Sequence, residues 1–580
     1  IWRTRIMSLI HSFGVNKTDH LQRSRIDFNM RKRCEFRQGA LIPIVHKVVT
    51  PNSTWSCNAT ANVRLLLTPY RPFMGDMYFT YGFYFVPFRI LFKDYTKMFG
   101  NAEPVDWQNP TEYVLPSITF ATQAPSRSVK VPGTGYDGIV SDSASINSSG
   151  NLISKPGSLT NYCGMPATWT GSSYIGKEVN FAPEAAYLSV WNTFWRDQNY
   201  QNSDPDVSKI FQFAPGSYGT RSTLNLALHY ANGFHDYFTS LLPNTQKGPK
   251  AQAFSHLICL PDLYTLESAP GDDPTDVSIR FGDYSKNQYS NMALGVNNYG
   301  SAVGTSQTIN STSYIGSTNL GVDITVEQLR MAFATQRARE RDARTGNRFV
   351  EAMLGIFGSH LPNAVADMPE FLGGNTIQLN LTSVPSTAKT EGASTGSLGA
   401  FSFTRDNSGA FVKTFDEPGI LIAVGCVRIK RVYAQGVERD RIKLRRFEFY
   451  DPCFAHISEQ PVFFGQYLTV NNDSFDGVMG FNEAWAEDIK PIDEVSGLMG
   501  DPEGPADLHK WNLLHFYSKG ANVTPNVILP ENKDEVANAC VDYNSSYPTW
   551  VFGLDFHANC KVTAPRPVYS VPGLIDHLIA

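Results

Sequence analysis

The hydrophobic positions of the first hundred residues fall in runs separated by turn residues. Residues 62–68 form one run, which ends before Pro69, and residues 76–92 form a longer one. The longer run carries aromatic or aliphatic side chains at adjacent positions, namely Tyr78, Phe79, Tyr81, Phe83, Tyr84, Phe85 and Val86. A strand with one exposed face alternates in polarity, so this run predicts a strand that is buried on both faces.

A hairpin with one basic face is predicted between residues 420 and 450. Residues 420–433 and 441–450 are separated by a turn at Gln435 and Gly436. Apolar and basic positions alternate in both segments, with Val427, Ile429, Ile442 and Leu444 set against Arg428, Lys430, Lys443 and Arg445. Because side chains on a strand point to opposite faces in turn, this pattern places the basic side chains on one face.

Helical spacing of apolar residues occurs in a few segments only. The segment 184–199 follows Pro183, a residue suited to the first turn of a helix. A second helix is predicted from a capping box at 325–328 to about Arg344, and a third, short helix carries Phe349, Met353 and Phe357 on one face. Few helices among many strands indicate a β-dominated fold with helical insertions.

Three long stretches show neither strand nor helix periodicity: residues 121–180, 262–322 and 383–410. Residues 291–322 contain no Asp, Glu, Lys or Arg, and 19 of these 32 positions are Gly, Ser, Thr or Asn. Such a tract cannot bury enough apolar surface to form a core of its own. It suits an exposed binding or assembly loop, and its composition is equally that of a disordered linker.

Composition predicts a globular protein. Of the 580 residues, 42% are hydrophobic, 12% are aromatic and 18% are charged. The longest near-continuous apolar run, residues 419–427, is far shorter than the ~18 residues of a transmembrane helix. Residues 1–10 carry charges where a secretory signal would be apolar, and the eight cysteines contain no C-x-x-C pair. We therefore expect a large aromatic core, no membrane insertion, and reduced thiols in a protein made inside the cell.

The net charge of -5 conceals basic segments. Residues 1–40 carry nine basic and three acidic side chains, and residues 427–446 carry eight and two. These segments include Phe28, Phe36 and Tyr433 and are followed directly by Phe447, a combination suited to phosphate contact and base stacking. A third basic segment, 326–348, is interpreted as a solvated helix face, because its arginines share a face with Glu340.

Short motifs give no support for an enzyme. Residues 171–178 resemble a phosphate-binding loop but lack its final hydroxyl residue, and residues 392–396 match a hydrolase elbow in a tract without a neighbouring strand or helix. Cys453, His456, His557 and Cys560 have ligand types suited to zinc, but their spacing on strands does not predict convergence. The sequence predicts no catalytic residue, no metal site and no cofactor.

Short blocks of sequence follow one another collinearly from about residue 20 to the C-terminus. They are Gly39–Ile44, Arg64–Pro69, Met77–Pro87, Trp191–Asn199, His235–Ser240, Gln246–Gly248, Glu327–Arg330, Glu340–Arg344 and Arg566–His577. In this order they resemble the major capsid proteins of the Microviridae, small icosahedral bacteriophages with single-stranded DNA genomes. The long insertion after His235–Ser240 is similar to that of the gokushovirus branch.

The resemblance implies a mainly β fold, an eight-stranded antiparallel viral jelly roll with long loop insertions and a few short helices. It divides the chain into a basic N-terminal arm, residues 1–40, and a single capsid domain, residues 41–580. Within that domain it implies surface loops at 121–180 and 383–410. Residues 250–322 would form a protrusion at the three-fold axes that meets the host.

The resemblance also implies a function in the virion. The chain would assemble into a T=1 shell of about 60 copies around a circular single-stranded DNA genome. Its further partners would be minor virion proteins, namely a DNA pilot protein and a small DNA-binding or scaffolding protein, and a host surface receptor. The protein would be made in the cytoplasm of the host bacterium and would be neither an enzyme nor a cofactor carrier.

Two sets of functional residues are predicted. The candidate DNA contacts are Arg428, Lys430, Arg431, Arg441, Lys443, Arg445 and Arg446, with Arg31, Lys32 and Arg33 as a second group. The candidate receptor-facing residues are Asn297, Asn298, Tyr299, Asn310, Tyr314 and Asn319.

Two alternatives stay open at the level of sequence. A monomeric β-sandwich adhesin or carbohydrate-binding protein would also use Gly/Ser/Thr/Asn-rich loops and exposed aromatic side chains. A glycan-degrading β-enzyme would need two carboxylates in a cleft, and no motif indicates such a pair.

Overall fold

Strands dominate the structure, as the hydrophobic pattern predicts. The computed structural model describes residues 23–69, 71–92, 95–99, 115, 117–119, 157–165, 178–180, 182–203, 228–248, 279–283, 288–292, 326–345, 348–362, 367–385, 398–455, 457–469, 475–501, 505–517, 535–540 and 551–566. The described residues fall into two compact units, one formed by 1–245 with 346–580 and one by 246–345.

The strands are β1 (Ser24–Phe36), β2 (Ile42–Val49), β3 (Ser53–Leu65), β4 (Met77–Pro87), β5 (Ser117–Thr119), β6 (Glu178–Asn180), β7 (Ile279–Asp283), β8 (Gln288–Met292), β9 (Glu370–Gln378), β10 (Leu381–Pro385), β11 (Leu398–Ser402), β12 (Thr404–Phe415), β13 (Gly419–Ile429), β14 (Glu459–Phe463), β15 (Val478–Glu483) and β16 (Phe552–Ala564). The α-helices are α1 (Phe88–Leu91), α2 (Leu159–Tyr162), α3 (Ala182–Val190), α4 (Val326–Arg344), α5 (Phe349–Phe357), α6 (Arg439–Ile442), α7 (Phe464–Tyr467), α8 (Ala486–Ile489) and α9 (Glu535–Asn538). Single 3-10 turns span Tyr95–Phe99, Arg446–Glu448, Pro452–Phe454, Gly497–Gly500 and Pro505–Trp511.

Two four-stranded antiparallel sheets form the centre of the first unit. Sheet 1 has the strand order β1-β16-β3-β12, and sheet 2 has the order β2-β13-β4-β9. Because β1 and β16 pair along their full length, residues near the two ends of the chain lie side by side in sheet 1. The mainly β prediction is confirmed.

Aromatic side chains fill the space between the two sheets. Phe83 of sheet 2 lies 5.1 Å, ring centre to ring centre, from Phe411 of sheet 1 and 6.1 Å from Phe556. Phe85 and Phe415 lie 4.5 Å apart in the same way. Tilted and edge-on ring pairs of this kind add to the free energy gained by burying the rings.

The outer face of sheet 2 is covered by α3 and the single π-helical turn Trp191–Trp195 that continues it. The Tyr187 hydroxyl donates to the Leu41 carbonyl at 2.8 Å, and Trp191 Nε1 donates to the Tyr230 carbonyl at 2.9 Å. This cover explains why β4 and β13 are apolar on both faces, since each faces the other sheet on one side and the helix on the other. The prediction that β4 is buried on both faces is confirmed.

The predicted helices are confirmed as α3 with its π turn, α4 and α5, but two strand boundaries differ. The run 76–92 is a strand only to Pro87, where α1 begins, because proline has no N–H with which to continue the ladder. The run 62–68 belongs to β3, which begins at Ser53.

Two predicted irregular segments contain strands of the sandwich. The interpretation of 383–410 as a loop is wrong at both ends, because β10 extends to Pro385 and β11 and β12 form from Leu398 onward, with β12 paired to β3. One of the buried positions of β12 is Gly409, which has no side chain and therefore interrupts the apolar alternation. The boundary of the N-terminal arm at residue 40 is also wrong, because β1 starts at Ser24 within sheet 1.

The second unit contains the hairpin β7-β8 and the helix α4. This hairpin lies within 262–322, where no periodicity was recognised. Within the described residues, no helix is both long and apolar enough to cross a membrane.

One disulfide corrects the prediction of reduced thiols. Cys57 of β3 and Cys560 of β16 are directly opposite and bonded, whereas Cys34, Cys163, Cys426 and Cys453 are free thiols. Partners 503 residues apart in sequence could not be recognised from their spacing.

Candidate functional site

The predicted basic hairpin at 420–450 does not form. Strand β13 ends at Ile429, and its two neighbours in sheet 2 are β2 and β4. The segment expected to return as a strand instead contains α6 and the 3-10 turn Arg446–Glu448. The Glu448 carboxylate accepts the N–H groups of Leu444 and Arg445 at 2.6 and 2.9 Å, which stabilises this turn against an extended conformation.

Several of the predicted DNA contacts are occupied within the subunit. Lys430 lies 2.5 Å from a carboxylate oxygen of Asp493, and that hydrogen bond raises the pKa of Lys430. Lys443 is bound by Asp440 at 2.7 Å and by Glu487 at 2.9 Å. Arg431 lines a small cavity with Tyr433, Tyr467 and Glu535.

Three of the four remaining predicted arginines, Arg441, Arg445 and Arg446, form an exposed surface with aromatic neighbours. We call it the arginine–aromatic patch, and it consists of Arg441, Leu444, Arg445, Arg446, Phe447, Phe449 and Tyr450. The guanidinium of Arg446 lies 5.6 Å from the ring centre of Phe447. Leu444 is 86% exposed, and Phe447, Phe449 and Tyr450 are also exposed in large part. A group of exposed apolar side chains is typical of a surface that meets a partner.

The second predicted group, Arg31 to Arg33, is split by the alternation of β1. Arg31 donates twice to the Asp555 carboxylate, with Nε at 2.8 Å, and Arg33 lies 3.5 Å from it. The hydrogen bond from Arg31 lowers the pKa of Asp555 to about 2. Lys32 points to the other face.

The side chain of Lys32 is half-buried and is hydrogen-bonded within this subunit. Its ammonium donates to the carbonyl of Pro43 at 2.7 Å and to that of Tyr162. Burial lowers its pKa. Period-two alternation gives the reason, since residue 32 lies between two outward-facing neighbours and must face inward.

The outer face of sheet 1 is a polar surface that the sequence reasoning missed. Asn29, Asn559 and Asn58 lie directly opposite one another on β1, β16 and β3. Exposed cations stand around this row on all four strands of the sheet, namely Arg25, Arg64, Arg405 and Lys561. The alternation Arg25, Asp27, Asn29, Arg31 in β1 was the signal that could have identified it.

Arg428 is the charged residue of an otherwise apolar β13, and it lies half-buried on the outer face of sheet 2. Its guanidinium is 4.2 Å from the ring centre of Phe234 and 5.5 Å from that of Trp195. It donates to Thr80 Oγ1 at 3.1 Å and to the Asn232 carbonyl at 3.5 Å. Among the described residues, no carboxylate lies within ion-pair distance of it.

A cleft of about 700 Å³ opens beside Arg428, and we call it the Arg428 cleft. Its walls include Tyr84, Phe194, Trp195, Phe371, Asn232, Asn375 and Thr376. The rings of Phe194 and Phe371 are centred 4.9 and 5.4 Å from that of Tyr84, whose hydroxyl accepts a hydrogen bond from Trp195 Nε1 at 3.1 Å.

Gly82 of β4 makes room for this aromatic wall. A Cβ at residue 82 would lie 2.9 Å from the Tyr84 hydroxyl and 3.1 Å from the Phe371 ring. Any side chain there would therefore displace both rings.

A buried carboxyl lies beneath the same helical cover. Glu184 of α3 is 3% exposed, and its Oε2 has no hydrogen-bond partner among the described residues. Burial raises its pKa to about 8. His46 on β2 has its pKa lowered to about 4, mainly by burial and further by Lys32.

No metal site is formed in the described part of the chain. The possible zinc ligand Cys560 is bonded to Cys57, and His557 lies 3.3 Å from Asp555. His456 lies outside the described residues, as do the predicted receptor-facing residues Asn297, Asn298, Tyr299, Asn310, Tyr314 and Asn319.

Comparison with known proteins gives matches along almost the whole chain. The family described as "Capsid protein (F protein)" matches residues 15–147 and 154–574. The chain is 29% identical to capsid protein VP1 of Spiroplasma virus 4, with 98% of this chain and 99% of that protein covered. It is 27% and 26% identical to the VP1 capsid proteins of Chlamydia phage 1 and Bdellovibrio phage phiMH2K, with 97% of both partners covered in each case. The resemblance to Microviridae capsid proteins is confirmed.

Proposed function

The chain belongs to the phage capsid protein (F protein) family, and on that premise we propose that it forms a T=1 icosahedral shell around a circular single-stranded DNA genome. A capsid protein assembles with its own copies and is a component of the virion, and this family is structural rather than a class of enzymes. The observation that carries the proposal is the match to viral capsid proteins from residue 15 to residue 574.

We propose that the two sheets are the two halves of a viral jelly roll. The strands that build them, taken in chain order, are β1, β2, β3, β4, β9, β12, β13 and β16, and they alternate between the sheets except at β4 to β9. Such alternation is typical of two Greek keys wound together. The insertions then lie between strands, where added length leaves the sheet pairing unchanged.

Exposed apolar side chains support assembly. Helix α5 has no buried residue and exposes Phe349, Leu354 and Phe357, the last at 72%. Monomeric proteins rarely expose large apolar groups in such density, whereas subunit interfaces bury them. The edge strand β12 also exposes Val412.

Electron microscopy and sedimentation of the purified protein test the shell. We expect closed particles of about 60 copies, the number set by one chain per icosahedral asymmetric unit. A protein that stays monomeric at all concentrations and salt conditions would overturn the proposal and favour the adhesin or carbohydrate-binding alternative.

We propose that the DNA contact involves the arginine–aromatic patch. Arg441, Arg445 and Arg446 are exposed beside Phe447 and other aromatic rings, so phosphate contact and base stacking are available on one surface. Arg31 and Arg33 share Asp555, and they contribute less net charge to such a contact.

The double variant Arg445→Gln/Arg446→Gln tests this contact. We expect weaker binding of a single-stranded oligonucleotide. The salt slope, that is the fall of the logarithm of the binding constant with the logarithm of the salt concentration, should be smaller by about 1.4, because each phosphate contact on a single strand contributes about 0.7 to it. Arg25→Gln/Lys561→Gln removes the same charge from the outer face of sheet 1 and serves as the matched control. Equal losses in both double variants would show a general charge effect and contradict a local contact.

Host attachment by residues 250–322 and binding of minor virion proteins complete the proposal. These would be a DNA pilot protein and a small DNA-binding or scaffolding protein, present after synthesis in the cytoplasm of the host bacterium. A virion lacking 250–322 should assemble but fail to adsorb to host cells. Undiminished adsorption would refute the role of this insertion.

A further inference from the structure

We propose that the Arg428 cleft binds one nucleotide of single-stranded nucleic acid, with the phosphate at Arg428 and the base against the aromatic wall. The inference rests on the proposed function for the source of the nucleotide. It adds a second site, which is formed on sheet 2 and shares no residue with the arginine–aromatic patch.

The surroundings of the half-buried Arg428 guanidinium indicate an anionic ligand. A half-buried charge loses hydration, and structures normally compensate it with a carboxylate. Here the described residues supply only ring faces and two neutral oxygens, and Nε of Arg428 is buried without a hydrogen-bond partner. A phosphate would supply the missing negative charge and match the planar guanidinium.

The aromatic wall indicates a planar group next to that anion. Phe371 is 51% exposed at the edge strand β9 and presents ring area that nothing in the described residues covers fully. Aromatic side chains on which bases stack are the usual means of binding single strands, and stacking tolerates every base.

Polar groups and size complete the match to a nucleotide. Asn232, Asn375 and Thr376 line the cleft and can donate to or accept from the edge of a base or the sugar. A volume of about 700 Å³ lies within the range of ligand sites and is large enough for a nucleotide. A carboxylate side chain from another subunit would satisfy Arg428 but would leave the aromatic wall without a partner.

Two substitutions test the cleft by fluorescence anisotropy of a labelled oligothymidylate on the full-length chain. Phe371→Ala should weaken binding about 5- to 100-fold, the range for loss of one stacked base, without changing the salt slope. Arg428→Gln should weaken binding and reduce the slope by about 0.7. Phe403→Ala removes a ring that is 45% exposed elsewhere in the chain and is the matched control.

The outcomes are separable from those of the proposed function. Unchanged affinity in a folded Phe371→Ala variant would overturn the cleft proposal, and this exposed position keeps the test valid even if Arg428→Gln fails to fold. Loss of assembly with unchanged oligonucleotide affinity would show that another subunit fills the cleft, which also overturns it. Failure of the wild-type protein to form shells would instead refute the proposed function.

Discussion

The outer faces of sheets 1 and 2 differ, although both sheets share one core. Sheet 1 presents polar rows such as Asn29, Asn559 and Asn58 to its outer side. Sheet 2 is covered by α3, and its central strand β13 is apolar on both faces up to Arg428. A single charged residue on a covered sheet face therefore indicates a specific role for that residue. On an open face, where many side chains are charged, one more charge indicates nothing.

The largest effect is expected from removing the cover of sheet 2. Leu188→Ala on α3 deletes a side chain with no exposed surface, and it should lower the free energy of unfolding by about 2–5 kcal/mol. Urea denaturation of the unassembled subunit measures the change. Asn559→Ala on the outer face of sheet 1 is the control and should stay within about 0.5 kcal/mol. Equal losses would show that both outer faces are buried in the subunit.

An intermediate, pH-dependent effect is expected from Glu184→Gln. Because burial raises the pKa of Glu184 from 4.5 to about 8, the folded state retains a proton that the unfolded chain releases. Its stabilising contribution is therefore full below about pH 4.5 and is lost as the pH rises through about 8. Between about pH 5 and pH 9, the free energy of unfolding should fall more steeply in the wild type than in the variant.

The matched control for this pH dependence is Glu35→Gln, which removes a carboxylate from the exposed outer side of β1. We expect the free energy of unfolding of the Glu35→Gln variant to change with pH as it does in the wild type. Parallel profiles of the wild type and Glu184→Gln would contradict the burial of an unpartnered carboxyl beneath the cover.

The smallest effect is expected on the open face. Asp555→Asn breaks the ion pairs with Arg31 and Arg33, and exposed pairs of this kind contribute about 0–1 kcal/mol. The difference from the wild type should shrink further at about 1 M salt, where charges are screened within about 3 Å. Asp27→Asn on the neighbouring strand β1 is the control, and a loss of several kcal/mol at residue 555 would mean that this face is not open.

The sequence was informative where one residue's neighbours along the chain fix its environment. The apolar run of β4 and the helical spacing of α3 and α5 are local periodicities, and each of these elements is present. The helix α4, expected to begin at 325–328, is likewise present from Val326. The collinear blocks likewise identified the capsid family before any contact was known, and the family match confirms it.

The candidate DNA contacts show what local reasoning could not supply. The alternation at 420–450 predicted a basic sheet face, yet the partners of β13 are β2 and β4, which lie more than 300 residues earlier. Lys430 and Lys443 are paired with Asp493 and Glu487, which no spacing rule connects to them. Pairing over such distances depends on which strands meet in the sheet.

By itself, the sequence determined the class of fold, the strand buried on both faces, the main helices and the family, because each depends on periodicity or on collinear motifs. Only the tertiary structure decided which cations remain exposed, that Cys57 meets Cys560, and that Arg428 lies beside a cleft with no carboxylate of the described residues within ion-pair distance. The physical reason is that burial and charge pairing are properties of neighbours in space, and in this sandwich those neighbours lie hundreds of residues apart.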